Sequence, residues 1–396
     1  MARNIAVGID IGTYQIKVVV ASAGNREEKT APKIIGIGAS ESKGLRHGYI
    51  INPAEAIKSI KQALRQAEKS ANIKITKAFL AVGGIGLNGS VSSGTIVTSR
   101  ADSEITDLDV KKVHDVAEQE MPQSLSLNRR VLHSIPLQYK IDGKTVLGQP
   151  QGMKGMRLEA KLLFVTCLAH HLDILIEAVQ ECGVDVEDVM ASPLAASLVT
   201  LSKTQKIAGC VLANIGAETV SIVVFENDIP ISLEIFPIGS NDITNDIALG
   251  LKIPLEEAEQ LKIGSTKSGD YPRKKLEEII TARLSDIFEL IDVHLKKIGR
   301  NGLLPAGIII TGGGSGVTTI EDFARSALRL PSKKSNQIFE SVKGQIKDST
   351  WAVAYGLCIL AFTNDESGSV GANLGLRRIM KSTKNSIWGW LKQFLP

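Results

Sequence analysis

The sequence lacks the features that mark secreted, metal-binding or membrane-spanning proteins. Its four cysteines lie far apart in apolar surroundings with no CxxC or Cys/His ligand spacing, so we expect reduced core thiols and no zinc site. The first residues run straight into a strand pattern without a secretory signal. The longest apolar stretch, residues 351–362, is about half of the roughly 20 residues that cross a bilayer. These absences predict a cytoplasmic protein without a membrane span.

A strong excess of one charge is also missing. The chain has 46 basic and 42 acidic side chains among 396 residues, and this balance argues against a nucleic-acid partner. With 43% hydrophobic and 22% charged residues, the composition is that of a globular protein. The length suffices for two or more packed domains.

Short β-branched runs alternate with helix patterns, which predicts an α/β fold. Residues 5–9 and 16–21 are typical of a hairpin, the residues after Pro53 of a helix, and residues 78–82 of a returning strand. The stretch 85–161 differs, because a polar helix pattern lies between strand-like pieces. We expect this stretch to be an inserted subdomain.

An internal repeat is the most informative feature of the chain. The repeat aligns residues 7–20, VGIDIGTYQIKVVV, with residues 211–224, VLANIGAETVSIVV, without a gap. Asp10 then matches Asn214, and Gly12 matches Gly216. A glycine at the same place in both turns reflects a requirement of the backbone. The repeat predicts two related halves, each containing the same hairpin.

The first of these turns has the groups that bind a phosphate. Gly12 allows backbone N–H groups to approach closely, Thr13 and Lys17 add further donors, and Asp10 could hold Mg²⁺ through water. The sequence is not a Walker A loop, because the glycine turn leads to a strand. A hairpin with a buried polar turn is the alternative interpretation. Two such turns facing each other would clamp a phosphate chain from both sides.

Two further segments support a nucleotide site. Residues 308–310 form a buried-strand pattern that ends in TGGGS, and its consecutive glycines offer a flat surface for an adenine. Glu259 and Lys262 are three residues apart and so share one helix face, from which they could reach ribose hydroxyls. A flexible loop and a solvated ion pair are the respective alternatives.

The order of these elements resembles the superfamily of actin, the heat-shock chaperones and the sugar kinases. Within it, three segments resemble the FtsA family of bacterial cell-division proteins over nearly the full chain: RVLHSIPLQYKIDG at 130–143, GMRLEAKLLFVTC at 155–167 and AGIIITGGGS at 306–315. The resemblance implies an actin-like two-domain α/β ATPase fold with duplicated halves, an FtsA-type inserted subdomain and a C-terminal amphipathic helix.

The resemblance also implies domain limits. The first actin-like domain would comprise residues 1–84, 162–205 and 351–362, and the second 206–350. The inserted subdomain would be 85–161, the linker 363–382 and the terminal helix 383–396.

The cofactors implied are ATP and Mg²⁺, with Asp10 holding the metal through water. The candidate cofactor-binding residues are Asp10, Gly12, Thr13, Tyr14, Lys17, Asn214, Gly216, Ala217, Glu218, Gly239, Glu259, Lys262, Gly312, Gly313, Gly314 and Ser315.

The chain differs from the superfamily at several positions that contribute to ATP hydrolysis in its members. Asn214 replaces a second Asp, and Ala217 with Glu218 replaces a Gly-Gly-Thr run. Where hydrolysing relatives place a Glu or Gln to orient the attacking water, this chain has Ser192 and Pro193. We therefore expect tight nucleotide binding with weak or no ATPase activity, and we assign no catalytic residue.

The last residues carry a second signal. After a Gly/Ser-rich linker that becomes basic, the sequence ends in NSIWGWLKQFLP, which places a wide aromatic stripe on one helix face. Trp and Phe suit the headgroup boundary, and the nearby Lys and Arg suit anionic lipid. Docking on the body or in a partner's groove are the alternatives. The predicted membrane-binding residues are Ile387, Trp388, Trp390, Leu391, Phe394 and Leu395.

The family resemblance implies a role. The protein would polymerise on the cytoplasmic side of the cell membrane at the division septum, bind the C-terminal tail of FtsZ, tether the FtsZ ring and recruit other division proteins. A scaffold of the PilM type in a type IV pilus machine is the alternative, and a sugar-kinase-like phosphotransferase is a weaker one.

Overall fold

The computed structural model describes residues 4–24, 32–264, 271–341 and 344–366. The predicted membrane-binding residues and most of the predicted linker lie outside these ranges. In chain order the first elements are β1 (Ile5–Ile11), β2 (Gln15–Ser22), β3 (Lys33–Glu41), β4 (Leu45–Arg46), β5 (Tyr49–Ile50), α1 (Pro53–Ala71) and β6 (Lys77–Val82). The next are β7 (Asn88–Val97), α2 (Asp107–Gln119), α3 (Gln123–Ser126), β8 (Arg129–Ile141), β9 (Lys144–Val146) and β10 (Arg157–Leu168).

The remaining elements continue from residue 169. They are α4 (Ala169–Gln180), β11 (Asp185–Ala191), α5 (Ser192–Thr200), α6 (Lys203–Ala208), β12 (Cys210–Ile215), β13 (Val220–Glu226), β14 (Ile229–Phe236), α7 (Ser240–Leu251), α8 (Leu255–Lys262), α9 (Arg273–Lys297), β15 (Ile308–Thr311), α10 (Ile320–Leu328), β16 (Ser332–Lys334), β17 (Phe339–Ser341), β18 (Gly344–Ile346) and α11 (Ala352–Glu366). Short 3-10 helices cover Gly313–Gly316 and Ser349–Trp351.

Two sheets share one strand order, which confirms the duplicated halves. Five strands of the first sheet run β3-β2-β1-β6-β11, and the second sheet runs β14-β13-β12-β15-β16. In each, three antiparallel strands precede two parallel ones. The aligned residues are also equivalent in register, since Val7 pairs with Val20 as Val211 pairs with Val224.

The inserted subdomain has its own antiparallel sheet in the order β7-β10-β8-β9. Helix α2 packs on β7 and β10 over a separate apolar core that includes Val113, Leu158 and Phe164. Helix α2 begins with a capping box, in which Thr106 accepts from the backbone of Asp109 and the Asp109 carboxylate accepts in return. These contacts agree with the predicted polar helix between strands.

Strand β12 shows how the two halves pack together. Alternate side chains of a strand face opposite sides of its sheet. Leu212 therefore lies in the core of the first sheet, together with α5 and α11, while Val211 and Ala213 lie in the core formed by α7, α9 and α10. The second half thus contributes one sheet face to each core.

Two segments differ from the predicted domain limits. Strands β17 and β18, placed by prediction in the second domain, lie at the edge of the first sheet, because Ser341 pairs with Ile34 of β3. Helix α11 continues to Glu366, so the first four residues of the predicted linker are helical. The four cysteines are free thiols, as expected, with Cys182 partly exposed. Within the described ranges, no helix combines the length and apolarity needed to cross a membrane.

Candidate functional site

The turn between β1 and β2 is tight. A side chain at position 12 would press on the backbone oxygen of Gln15 at 2.9 Å, so glycine is required there. Asp10 and Lys17 are direct partners across the two strands. Tyr14 at the tip is largely exposed. The predicted phosphate turn therefore places a carboxylate and an ammonium side by side at its base.

The charges at this base affect each other. Burial raises the pKa of the Asp10 carboxyl to about 6, although the Lys17 ammonium lowers it. Burial lowers the pKa of Lys17, against the effects of Asp10 and Asp348. The Lys17 Nζ also lies 5.7 Å from the centre of the Trp351 ring. The Lys17 ammonium is thus near an aromatic face and experiences the negative charge of Asp10 and Asp348.

The second turn, between β12 and β13, repeats this geometry. A side chain at Gly216 would meet the Thr219 oxygen at 3.0 Å, and the Gly216 N–H donates to the same oxygen at 2.8 Å. The start of α7 covers the turn, because Ser240 N–H donates to Gly216 O at 2.9 Å. Gly239 is needed at this contact, since a side chain there would collide with the Ala217 backbone.

One short turn joins the two predicted phosphate loops. The residues His47 and Gly48 connect β4 to β5. The Gly48 N–H donates to Thr13 Oγ1 at 3.1 Å, and the His47 N–H donates to Glu218 Oε2 at 2.5 Å. Thr13 belongs to the first loop and Glu218 to the second. The structure therefore brings the two loops of the repeat close together.

The glycine loop after β15 lies against the second half of the repeat. Gly312 has φ +87°, and a side chain there would collide with the Asn214 amide oxygen. Gly314 packs on Ile215, whereas a side chain at Gly313 would meet nothing within 4 Å. Ser315 closes the loop by donating its hydroxyl to Gly312 O at 2.7 Å. The loop leaves an open backbone face at Gly313, as an adenine surface requires.

The Lys262 ammonium, predicted to reach a ribose, instead contacts other residues of the protein. Its side chain is buried, and its Nζ donates to Thr244 Oγ1 at 2.9 Å and to Ser240 O at 3.2 Å and lies 2.6 Å from Glu259 Oε2. These three acceptors occupy the three N–H bonds of the ammonium. Glu259 remains partly exposed. The pair therefore joins α7 to α8, and only Glu259 is available to a ribose.

The structure adds three residues that the sequence pattern did not mark. Asp348 neighbours Lys17 from the turn before α11, and His47 with Gly48 touches both loops. Strands β4 and β5 have two residues each, too short for a periodic signal. Ser192 and Pro193 begin α5, with Ser192 Oγ facing Gly83.

The donor set fits a nucleotide with a largely hydrated metal. Paired glycine turns, the Lys17 ammonium and the open face at Gly313 match phosphates and a base. Among the described residues, no group of three or more His, Cys, Asp or Glu side chains could cage a metal ion. A single carboxylate at Asp10 suits Mg²⁺, which keeps several of its waters and needs few protein ligands.

Comparison with known proteins gives consistent results. The family model "Cell division protein FtsA" matches residues 211–356, and "SHS2 domain inserted in FTSA" matches residues 84–166. The cell division protein FtsA of Pseudomonas aeruginosa is 30% identical over 389 residues, covering 92% of this chain and 91% of the relative. That of Bacillus subtilis is 30% identical over 348 residues, covering 83% and 77%.

Solved structures resemble the fold at lower identity. A chain of the PilM-PilN type IV pilus biogenesis complex has a TM-score of 0.67 at 18% identity, covering 90% of this chain and 98% of its own. MreB5 of Spiroplasma citri bound to ADP has a TM-score of 0.52 at 13% identity, covering 93% and 99%. At these identities the likeness concerns the actin-like fold alone.

Proposed function

This chain belongs to the FtsA family of cell division proteins, and from that premise we propose that it binds ATP between its two actin-like halves and uses it as a structural ligand. Assembled into filaments on the inner face of the cytoplasmic membrane, it tethers the FtsZ ring and recruits later division proteins. Its place of action is the division septum.

One observation carries the nucleotide part of this proposal. Both turns of the internal repeat contact the pair His47-Gly48, so the two loops that we propose to bind phosphate lie close together. Lys17 and Asp10 lie at the base of the first loop. The solved relative of similar fold that carries ADP supports a nucleotide as the ligand. Gripping one phosphate chain from two halves would hold those halves in one relative orientation.

The proposed slow hydrolysis is supported by residues that differ from those of hydrolysing relatives. Orienting the attacking water is a large part of what a nucleotidase adds to the metal and the phosphate cradle. Ser192 and Pro193 occupy the start of α5, where hydrolysing relatives place a Glu or Gln. Asn214 also supplies no carboxylate for a metal. ATP would then be retained for long times relative to filament assembly.

The membrane part of the proposal comes from the sequence of the last residues. Burying six large apolar side chains gains roughly 1.5 to 3 kcal/mol each, while ordering a dozen residues costs roughly 1 to 2 kcal/mol each. A single anchor therefore binds weakly. Many anchors on one filament bind much more tightly, because each raises the effective concentration of the next.

A PilM-type scaffold is the second candidate, favoured by the similarity of fold to the pilus complex. That similarity does not distinguish functions, because unrelated activities share this fold. The relatives at 28 to 30% identity are named as cell division proteins, so we rank the division role first. A sugar-kinase-like activity has the least support, since Asn214 replaces the second Asp.

Calorimetric titration with ATP and Mg²⁺ tests the nucleotide proposal. We expect the wild type to bind and Asp10→Ala to bind at least about tenfold more weakly, because the water-held metal loses its carboxylate. Asp185→Ala, at an exposed strand end, is the matched control and should bind as the wild type does. Absence of binding would refute the proposal. Rapid ATP turnover that Asp10→Ala abolishes would refute the structural-ligand role.

A further inference from the structure

The turn between β4 and β5 places a histidine at a position of positive φ. His47 and Gly48 both have positive φ, +48° and +82°, which is the type I′ geometry of a two-residue hairpin turn. The first position of such a turn usually holds Asn, Asp or Gly. A histidine there is held in a sparsely populated conformation, and such positions gather at functional sites.

This turn contacts three different parts of the molecule. Its two N–H groups bind the two phosphate loops, through Thr13 and Glu218. The His47 ring adds a second contact to the Glu218 loop, with Nδ1 3.1 Å from the backbone oxygen of Glu218. The turn also contacts the inserted subdomain, because the backbone oxygen of His47 accepts from the Ile85 N–H at 3.2 Å.

The turn packs closely against Gly84, at the start of the inserted subdomain. A side chain on Gly48 would collide with the backbone of Gly84, and one on Gly84 would meet His47 O at 2.9 Å. Gly84 lies just before β7, the first strand of the inserted subdomain. Because the two glycine backbones are in contact, a shift of the turn towards Gly84 must displace Gly84, which precedes β7 by four residues.

The segment that receives this contact is tied to the rest of the subdomain. Gly86 O accepts from Arg129 Nη2 at 2.6 Å, and Arg129 begins β8. Its Nε also donates to Thr166 Oγ1 of β10 at 2.8 Å. Residues on two strands of the inserted sheet, β8 and β10, are therefore connected to the segment beside the turn, and this segment continues into β7.

A second turn in the same chain provides a comparison. Asp142 and Gly143, between β8 and β9, have φ values of +49° and +80°, nearly identical to those of His47 and Gly48. A side chain on Gly143 would meet nothing within 4 Å. The hairpin geometry alone does not demand close neighbours. The contacts at His47 and Gly48 are specific to their place between the loops and the subdomain.

We propose that the His47-Gly48 turn is a nucleotide sensor that couples the two phosphate loops to the position of the inserted subdomain. An anionic ligand between the loops repels the Glu218 carboxylate and competes with it for nearby N–H donors. The bond from His47 to Glu218 then weakens, the turn moves with Thr13, and Gly84 carries the movement to β7. This inference rests on the proposed function, because it takes ATP as the ligand.

Hydrogen–deuterium exchange of the full chain, with and without saturating ATP and Mg²⁺, tests the coupling. In the wild type, we expect ATP to change exchange in residues 84–97 and 129–141. Gly48→Ala, whose new methyl group separates the turn from Gly84, should lose this change at an ATP concentration that saturates the variant. Gly143→Ala carries the same backbone strain without the contact, and should keep the change.

A second variant covers the case in which Gly48→Ala fails to fold. Glu218→Ala removes the acceptor of the His47 N–H and should reduce the ATP-dependent change, measured at an ATP concentration that saturates the variant. If wild-type protein binds ATP and the inserted subdomain does not respond, or if the variants respond as the wild type does, the sensor is refuted alone. If ATP does not bind the wild type, the proposed function and the sensor are both refuted.

Discussion

At the scale of single residues, Lys262 shows how a residue chosen for ligand binding can serve the fold. The spacing to Glu259 is correct for one helix face, but burial and the position of α7 direct the ammonium to Ser240 and Thr244. A buried ammonium must have its charge and its donors satisfied. These contacts leave it no donor for a ribose.

Replacing Lys262 should therefore lower the stability of the fold more than it lowers the affinity for ATP. Lys262→Met removes the donor that binds Ser240 O and Thr244 Oγ1. We therefore expect the free energy of unfolding of the nucleotide-free protein to fall by about 1–3 kcal/mol. Thermal unfolding without ATP measures this. Lys275→Met, on the exposed side of α9, is the control and should be close to neutral. Unchanged stability with weaker ATP binding would restore the ribose role.

The Asp109 carboxylate should make the stability of the inserted subdomain depend on pH. Its carboxylate is buried, which raises its pKa, but bonds from Ser99 and Thr106 outweigh burial and lower the pKa to about 2. A lowered pKa stabilises the folded state above the unfolded pKa of about 4, and the contribution disappears as pH falls towards 2.

We expect Asp109→Asn to lower the stability of the subdomain by about 2 kcal/mol at pH 7. The difference from wild type should shrink as the pH falls from about 4 towards 2. Hydrogen exchange of the α2 amides is the measurement. Asp107→Asn, exposed in the same helical turn, is the control. A difference that does not change with pH would contradict this account of the carboxylate.

At the scale of elements, α11 packs closely against two neighbours in the first half. Gly8 of β1 lies against the helix backbone at Ala354, and Gly356 of the helix lies against Ala195 O of α5. Each contact is made at a glycine because a methyl group would collide with backbone atoms. Helix α11 thereby joins the first sheet to α5, the helix that begins at Ser192.

Gly356→Ala should therefore destabilise the protein by about 1–3 kcal/mol, although alanine favours a helix. Gly250→Ala is a matched helical control, because its new methyl group would meet only the flexible end of Ile279 and should change stability by less than about 1 kcal/mol. Chemical denaturation of both variants measures the difference. Equal stabilities would show that α11 can shift away from α5.

At the scale of the whole molecule, two similar halves and one insertion form an asymmetric body. The two equivalent turns lie close together at His47 and Gly48, while the inserted sheet has no counterpart in the second half. The sensor turn lies where the two loops and the insertion meet. Under the proposed function, nucleotide binding and membrane attachment would influence each other through the assembled filament.

Membrane attachment gives a prediction at this scale. Trp390→Glu should reduce sedimentation with anionic vesicles by at least about tenfold, because a charge replaces an aromatic ring in the apolar stripe. Gln393→Glu adds the same charge to the polar face and is the matched control. ATP, by favouring filaments, should increase sedimentation of the wild type. Equal sedimentation of Trp390→Glu and wild type would exclude the predicted anchor.

Much of the fold could be predicted because its signals are local. The matching hairpins, the helix after Pro53 and the polar helix of the insertion each follow from periodicity and turn chemistry within a few residues. The limits of the second domain could not be found this way. Strands β17 and β18 join the first sheet through one parallel pairing with β3, far away in the chain.

The residues of the candidate site also fall into two groups, those that the local sequence predicts and those that only packing brings to the site. The sequence alone determined the two glycine turns, Asp10, Lys17 and the glycine loop, since a tight turn or an open backbone restricts the residues at its own positions. Only the tertiary structure decided that Lys262 supports α7, that Asp348 neighbours Lys17, and that His47 and Gly48 connect both loops. These roles depend on distances between segments remote in sequence, which packing sets and local pattern does not record.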